Sequence, residues 1–154
     1  MRLTNNLSTN FKYYEMIKSE QAIRHGIDNT PPDKYIPKLK RLCEKILQPI
    51  RNFYQIPFTP NSAYRSLELN AIIGGASTSQ HCKAEAVDIE VPGVNNYDLA
   101  IWVKNNLEFD QLILEYYIPG VINSGWVHIS LKEKNNRYQE LTYTGKEYLN
   151  GLVG

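Results

Sequence analysis

Two of the three histidines in this chain sit close to an aspartate or in a short aromatic strand pattern. His81 and Asp88 lie seven residues apart in Ser79-Gln80-His81-Cys82-Lys83-Ala84-Glu85-Ala86-Val87-Asp88, and His128 follows in Trp126-Val127-His128. Two imidazoles and one carboxylate are the ligand set of a catalytic zinc ion whose fourth position is left for water. Asp88 within Ala86-Val87-Asp88-Ile89 is informative, because a carboxylate in an apolar run is costly unless a cation or donors meet it. The spacing alone also fits a turn-capping His81, an Asp88 that accepts backbone amides and a strand His128 satisfied by a hydrogen bond.

The elements that must position these groups follow from pattern. Asn10 to His25 reads as one or two short helices, and Asn29 to Pro32 as a turn. Ile36, Leu39, Leu42, Cys43, Ile46, Leu47 and Ile50 recur at helical spacing and predict the clearest helix. Pro57 and Pro60 make Gln55 to Ser66 extended, Leu67 to Ile73 is a short helix ending at Gly74-Gly75, and Ala76 to Gln80 is a polar loop. Glu85 to Val91 predicts a strand, Asn96 to Asn105 a helix, Gln111 to Tyr117 and Trp126 to Leu131 strands, and Arg137 to Tyr143 an edge strand. Helices first and a small, mainly antiparallel sheet later make an α+β domain, expected to be a single unit over residues 1–154.

Composition narrows the partners. Seventeen Lys plus Arg against sixteen Asp plus Glu give a net charge of +1, so no global field draws the chain to nucleic acid or anionic lipid. The Lys38, Lys40, Arg41 group reads as the wet face of the long helix. Apolar runs are too short for stable membrane insertion, and Met1 to Asn10 lack the apolar core of a secretory signal. The expectation is cytoplasmic synthesis, with another agent, such as a holin, giving access to any substrate outside the membrane. Cys43 reads as core and Cys82 as a packed thiol rather than a fourth ligand. His25 reads as a helix-end cap. Ser62, Ser66 and Ser79 lack a GxSxG elbow, which argues against a serine hydrolase, and Ser79 reads as a loop cap or a donor that orients His81.

The runs Ser62-Ala63-Tyr64-Arg65-Ser66, Asn70 to Ala76, Ser79 to Asp88, Phe109 to Glu115 and Trp126-Val127-His128-Ile129 resemble the zinc D-alanyl-D-alanine carboxypeptidase family, in particular its phage and prophage peptidoglycan-peptidase branch. Leu7 to Arg51 is similar to the amino-terminal helical part of those proteins, so the resemblance spans nearly the whole chain. It implies the fold shared by hedgehog proteins and D-Ala-D-Ala peptidases. In the family's SxHxxGxAxD and WxH motifs the two His and the Asp hold Zn2+, which implies His81, Asp88 and His128 as metal ligands. The glycine of the first motif is Ala84 here. Arg65 is implied at a substrate carboxylate or polarised carbonyl, a role its planar, always charged guanidinium suits, although a structural salt bridge fits it equally. Tyr64, Trp126 and Ser79 join it as substrate-binding candidates.

Several relatives place an acid or His just before WxH, where this chain has Ser124-Gly125. Glu115 is therefore the candidate general base, provided its strand returns beside the metal, with Asp110 second and Glu85 expected to point away. The implied activity is hydrolysis of a peptidoglycan stem-peptide bond, either D-Ala-D-Ala or L-Ala-D-Glu. A catalytically inactive, zinc-stabilised wall-binding or phage structural module is the alternative, and Gly125 is its main support. Oligomeric state is open.

Overall fold

The computed structural model describes residues 1–154. Its amino-terminal half is helical: α1 (Tyr13–Ile17), α2 (Glu20–Arg24), α3 (Ile36–Leu42), α4 (Gln48–Tyr54) and α5 (Leu67–Ile72). Ser19 caps α2 by accepting from Ala22 N–H, and Ser66 caps α5 by accepting from Leu69 N–H.

The long helix expected from Ile36 to Ile50 extends to Tyr54, but a π-helical turn, Cys43–Leu47, joins α3 to α4. Pro49 explains the join. It has no N–H to donate one turn back, and the turn before it widens so that Gln48 N–H donates to the Cys43 carbonyl five residues earlier.

A 3₁₀ turn, Gln80–Lys83, leads into β1 (Ala86–Ile89); α6 (Asn96–Asn106), β2 (Gln111–Glu115), β3 (Trp126–Ser130), β4 (Gln139–Tyr143) and β5 (Tyr148–Asn150) follow. The sheet order is β1-β3-β2-β4-β5. Only β2 and β4 run parallel; the other three pairs are antiparallel. Two boundaries differ from expectation. Strand β4 is internal, not an edge, because the chain turns at Gly145 and adds β5, three residues too short to show an alternating pattern. The other rim of the sheet, β1, is extended by an isolated bridge between Ser62 and Asp88.

Strand alternation gives the sheet two faces of opposite character. Val87, Ile89, Leu112, Leu114, Val127 and Ile129 are fully buried and pack with Leu39, Leu42, Ile46, Ile50, Leu99 and Val103 from the helices. The other face carries Asp88, Ile113, Glu115, Trp126 and His128, which line an open cleft. The apolar face fixes the register, because a one-residue slip would exchange the two faces. No helix is long and apolar enough to cross a membrane.

Candidate metal centre

His81 is placed by three contacts to its backbone. Ser79 Oγ accepts from His81 N–H at 3.2 Å, and Arg65 N–H donates to the His81 carbonyl at 3.2 Å. Ala84 closes the turn at φ 57, with its N–H directed to the carbonyls of Gln80 and His81. That positive φ is the reason a glycine suits this motif position; the alanine accepts the strained conformation, and its methyl is fully buried in the core. Lys38 of α3 steadies the loop from outside by donating to the Lys83 carbonyl at 2.8 Å and pairing with Glu85 at 3.1 Å. Glu85 is thereby engaged.

The His81 tautomer follows from its neighbour. Nδ1 lies 2.7 Å from the Ala63 carbonyl, which can only accept, so Nδ1 carries the proton and Nε2 presents a lone pair to the cleft. That lone pair faces Asp88 Oδ2 at 3.3 Å, while Asp88 Oδ1 lies 2.9 Å from His128 Nδ1. Register explains the second contact, since Asp88 and His128 are directly opposed across β1 and β3.

Lone pairs so close call for a proton or a metal ion between them. One ligand atom from each of the three residues falls within 4.8 Å of the others, and each imidazole nitrogen lies 2.9 or 3.3 Å from one of the two Asp88 oxygens, close enough for all three side chains to reach a single ion. A two-nitrogen, one-oxygen set of this size fits zinc. Burial opposes ionisation of Asp88, yet in the metal-free protein the positive charge and hydrogen bonds of His81 and His128, when these rings carry the intervening protons, prevail and hold its carboxyl well below the ordinary range. Cys82 is buried and outside the ligand group, and burial pushes its thiol up.

Glu115 stands beside this set. Its Oε1 is 4.0 Å from His128 Nδ1, and it shares the cleft face with Ile113. Burial, and then the charge of Asp88, push its carboxyl up to about 7, against the pull of His128 and Arg65. Gly125 accounts for the missing acid before Trp126. It has φ 68, and a Cβ there would stand 2.1 Å from the Glu115 carbonyl oxygen, so the position is closed to any side chain. The carboxylate nearest the ligands comes from the neighbouring strand instead.

Asp110, the second acid considered as a base, is fully buried and fully engaged. Arg137 donates to it through Nε at 3.0 Å, Nη2 at 2.7 Å and its backbone N–H at 2.9 Å, Gln80 Nε2 donates at 3.1 Å, and Lys132 stands 3.6 Å away. Burial alone would raise its pKa, but Arg137 brings it down to about 2. A carboxylate with so many donors is a structural anchor and a poor proton acceptor.

Arg65 lines the cleft, and Nη1 donates to Asn70 Oδ1 at 2.8 Å; no carboxylate stands within 4.0 Å of it. A Cβ at Gly75 would lie 2.1 Å from Asn70 Oδ1 and 2.8 Å from Arg65 Nη1, so the second glycine of Gly74-Gly75 makes room for this contact. Trp126 and Ser79 also line the cleft. Tyr64 does not: it is 7% exposed, its ring lies 6.0 Å from that of Tyr35, and it borders a separate groove on the α2 side. Arg65 next to it turns the opposite way along the extended segment and reaches both cavities.

Three positioning residues escaped the sequence reading. Asn70 holds Arg65. Asn96 is buried and donates to the carbonyls of Ser124 and Gly125 at 2.9 and 3.0 Å, fixing the approach to β3. Gln80 ties the His81 turn to Asp110. Each is a polar residue inside or beside a helix, a signal that is indistinguishable from a solvent-facing one until burial is known.

A family model for Peptidase M15 matches residues 9–130, most of the chain, and the chain belongs to that family. With the converging His81, Asp88 and His128, it has a metal-binding hydrolase fold of the M15 type. A search of curated proteins found no match.

Proposed function

We propose that this chain is a zinc-dependent peptidase that hydrolyses a stem-peptide bond of bacterial peptidoglycan, either the terminal D-Ala-D-Ala bond or the L-Ala-D-Glu bond. The observation that carries the proposal is the position of the Glu115 carboxylate, 4.0 Å from His128 Nδ1 beside a three-ligand set and paired with no Lys or Arg. A carboxylate in that place is within reach of water at the ligand set and is suited to both accepting and returning a proton.

His81, Asp88 and His128 would hold the ion, and when bound, zinc supplies a Lewis acid that acidifies water and polarises a carbonyl. Glu115 takes the proton of the attacking water and delivers it to the leaving amine. Arg65, free of any carboxylate in the protein, meets negative charge on the substrate, either the oxygen developing at the scissile carbonyl or a stem carboxylate. Four bases and four acids border the cleft, but Lys132 and Arg137 are held by Asp110, which leaves Arg65 and Lys83 as the cations that can meet a carboxylate of the substrate. Trp126 forms an apolar wall. The cleft of about 720 Å³ has room for a short peptide segment.

A phage or prophage origin, with release to the wall aided by a holin or another export route, accords with this activity. The test is incubation of zinc-loaded protein with defined muropeptides and mass analysis of the products. Free D-Ala identifies the carboxypeptidase, and cleavage next to the sugar-linked Ala identifies the endopeptidase. Wall binding with every stem intact at high enzyme concentration would overturn both in favour of a non-catalytic module. Gly125 no longer argues for that module, since Glu115 brings a carboxylate from β2.

A further inference from the structure

Beyond the ligands and Glu115, the cleft face of the sheet carries a row of four aromatic rings, of which the peptidase reading uses only Trp126, as an apolar wall. Trp126 and Tyr116 lie 5.0 Å apart at 31°, Tyr116 and Tyr143 5.4 Å apart at 87°, and Tyr143 and Tyr148 4.5 Å apart at 36°. The row starts at Glu115 itself. Trp126 is its register partner on β3, Tyr116 is the next residue in the chain, and Tyr143 is its partner on β4. It then crosses to β5 at the sheet edge, roughly three strand spacings or 14 Å from β3.

Packing holds the row open to solvent. Tyr148 is 62% exposed and Tyr116 45% exposed. Tyr116 has φ 57, and a Cβ at Gly145 would come 2.9 Å from its ring, so the ring lies against bare backbone at the β4–β5 turn. Aromatic side chains that served only to pack the sheet would face the helices, where the core is. Trp126 and Tyr148, the two ends of the row, line the cleft, and Tyr143 between them is the register partner of the cleft residue Glu115.

The chemistry of the rings selects an occupant. Three of the four carry phenol hydroxyls, so a wholly apolar partner would strip water from them without replacing it. A pyranose ring offers what the row needs: an apolar C–H face for the rings and hydroxyl or acetamido groups for their polar rims.

We propose that the Trp126–Tyr116–Tyr143–Tyr148 row is a binding subsite for an N-acetylated sugar ring of the glycan to which the stem peptide is attached. This rests on the peptidoglycan reading above and deepens it. A lactyl group and one residue, together roughly 7 Å when extended, separate that sugar from the L-Ala-D-Glu bond, and the row begins beside Glu115, so the subsite serves the sugar-proximal bond.

The experiment has two parts. First, zinc-loaded protein is titrated with a soluble trimer of N-acetylglucosamine, with intrinsic fluorescence as the readout. The wild-type chain gives a saturable change, Tyr148→Ala weakens binding by about tenfold, and Tyr148→Trp restores it. Absence of saturation up to about 10 mM sugar, or binding indifferent to Tyr148→Ala, overturns the subsite. Second, zinc-loaded protein is given a muramoyl peptide and the same peptide without its sugar. The sugar-bearing substrate is preferred by about tenfold in kcat/KM, and Tyr148→Ala erodes that preference through KM. Equal cleavage of both substrates overturns the subsite while leaving the peptidase standing. Sugar binding without cleavage of either substrate overturns the peptidase while leaving the subsite standing.

Discussion

Two carboxylates of one cleft, Asp110 fully buried and Asp88 partly so, are treated in contrary ways by the protein. Asp110 meets Arg137, Lys132, Gln80 and a backbone N–H, so its charge is balanced from within. Asp88 meets only two imidazoles, one of which offers it a lone pair, and Glu115 beside it pairs with no Lys or Arg. The first arrangement is complete without a ligand. The second needs an added cation, and that incompleteness separates an anchor from a site more reliably than burial or residue type does.

The contrast is most easily broken at the ligands. His81→Ala or His128→Ala should weaken zinc binding by more than about 100-fold and abolish turnover, as read by metal analysis after gel filtration alongside circular dichroism. Zinc retained at one equivalent would mean that the three side chains do not share an ion. Glu115→Gln should keep zinc but lower kcat by roughly 10² to 10⁴, and a variant with normal turnover would remove Glu115 as the base.

Asp110→Asn should do the reverse. It costs about 3 kcal/mol of stability by breaking the Arg137 pair, seen as a lower Tm, while zinc stoichiometry at low temperature is unchanged. Its sign with pH is fixed by the lowered carboxyl. The stabilisation is present above the ordinary value of 3.8 and is lost as pH falls through about 2, so the wild-type and variant stability curves should converge in acid.

Glu115 has the opposite sign. Its carboxyl is raised from 4.5 to about 7, so the folded metal-free protein binds the extra proton, and stability present below 4.5 is lost as pH rises through about 7. With screening of its partly exposed group this amounts to roughly 2 kcal/mol, and Glu115→Gln should flatten the slope in denaturant titrations of metal-free protein. A slope unchanged by the substitution would place the proton elsewhere. The smallest effect belongs to Ala84→Gly. Relief of the left-handed backbone opposes loss of a buried methyl, and the net change should stay within about 1 kcal/mol by chemical denaturation.

The ligand residues were legible because His, Asp and His are rare enough for their placement in SxHxxxxAxD and WxH patterns to be informative. The long helix and the strands around His128 were legible because their apolar residues recur at 3.6 and 2.0 spacing. The π turn before Pro49 and the short β5 were not, since neither leaves a periodic trace. Tyr64 and Arg65 show the limit well. They are adjacent and equally plausible as substrate contacts, yet one ring is buried beside Tyr35 while the neighbouring guanidinium turns to the cleft.

By itself the order of residues determined which groups are able to bind a metal and which segments form strands, because ligand type and hydrophobic period are local properties. Which acid stands beside the ligands was decided only when β2 and β3 paired. That pairing brought Glu115 next to His128 and closed position 125 to side chains, while Arg137 folded over Asp110 and took it out of the chemistry. Convergence of this kind depends on register between strands distant in sequence, which the packing of the opposite, apolar face selects.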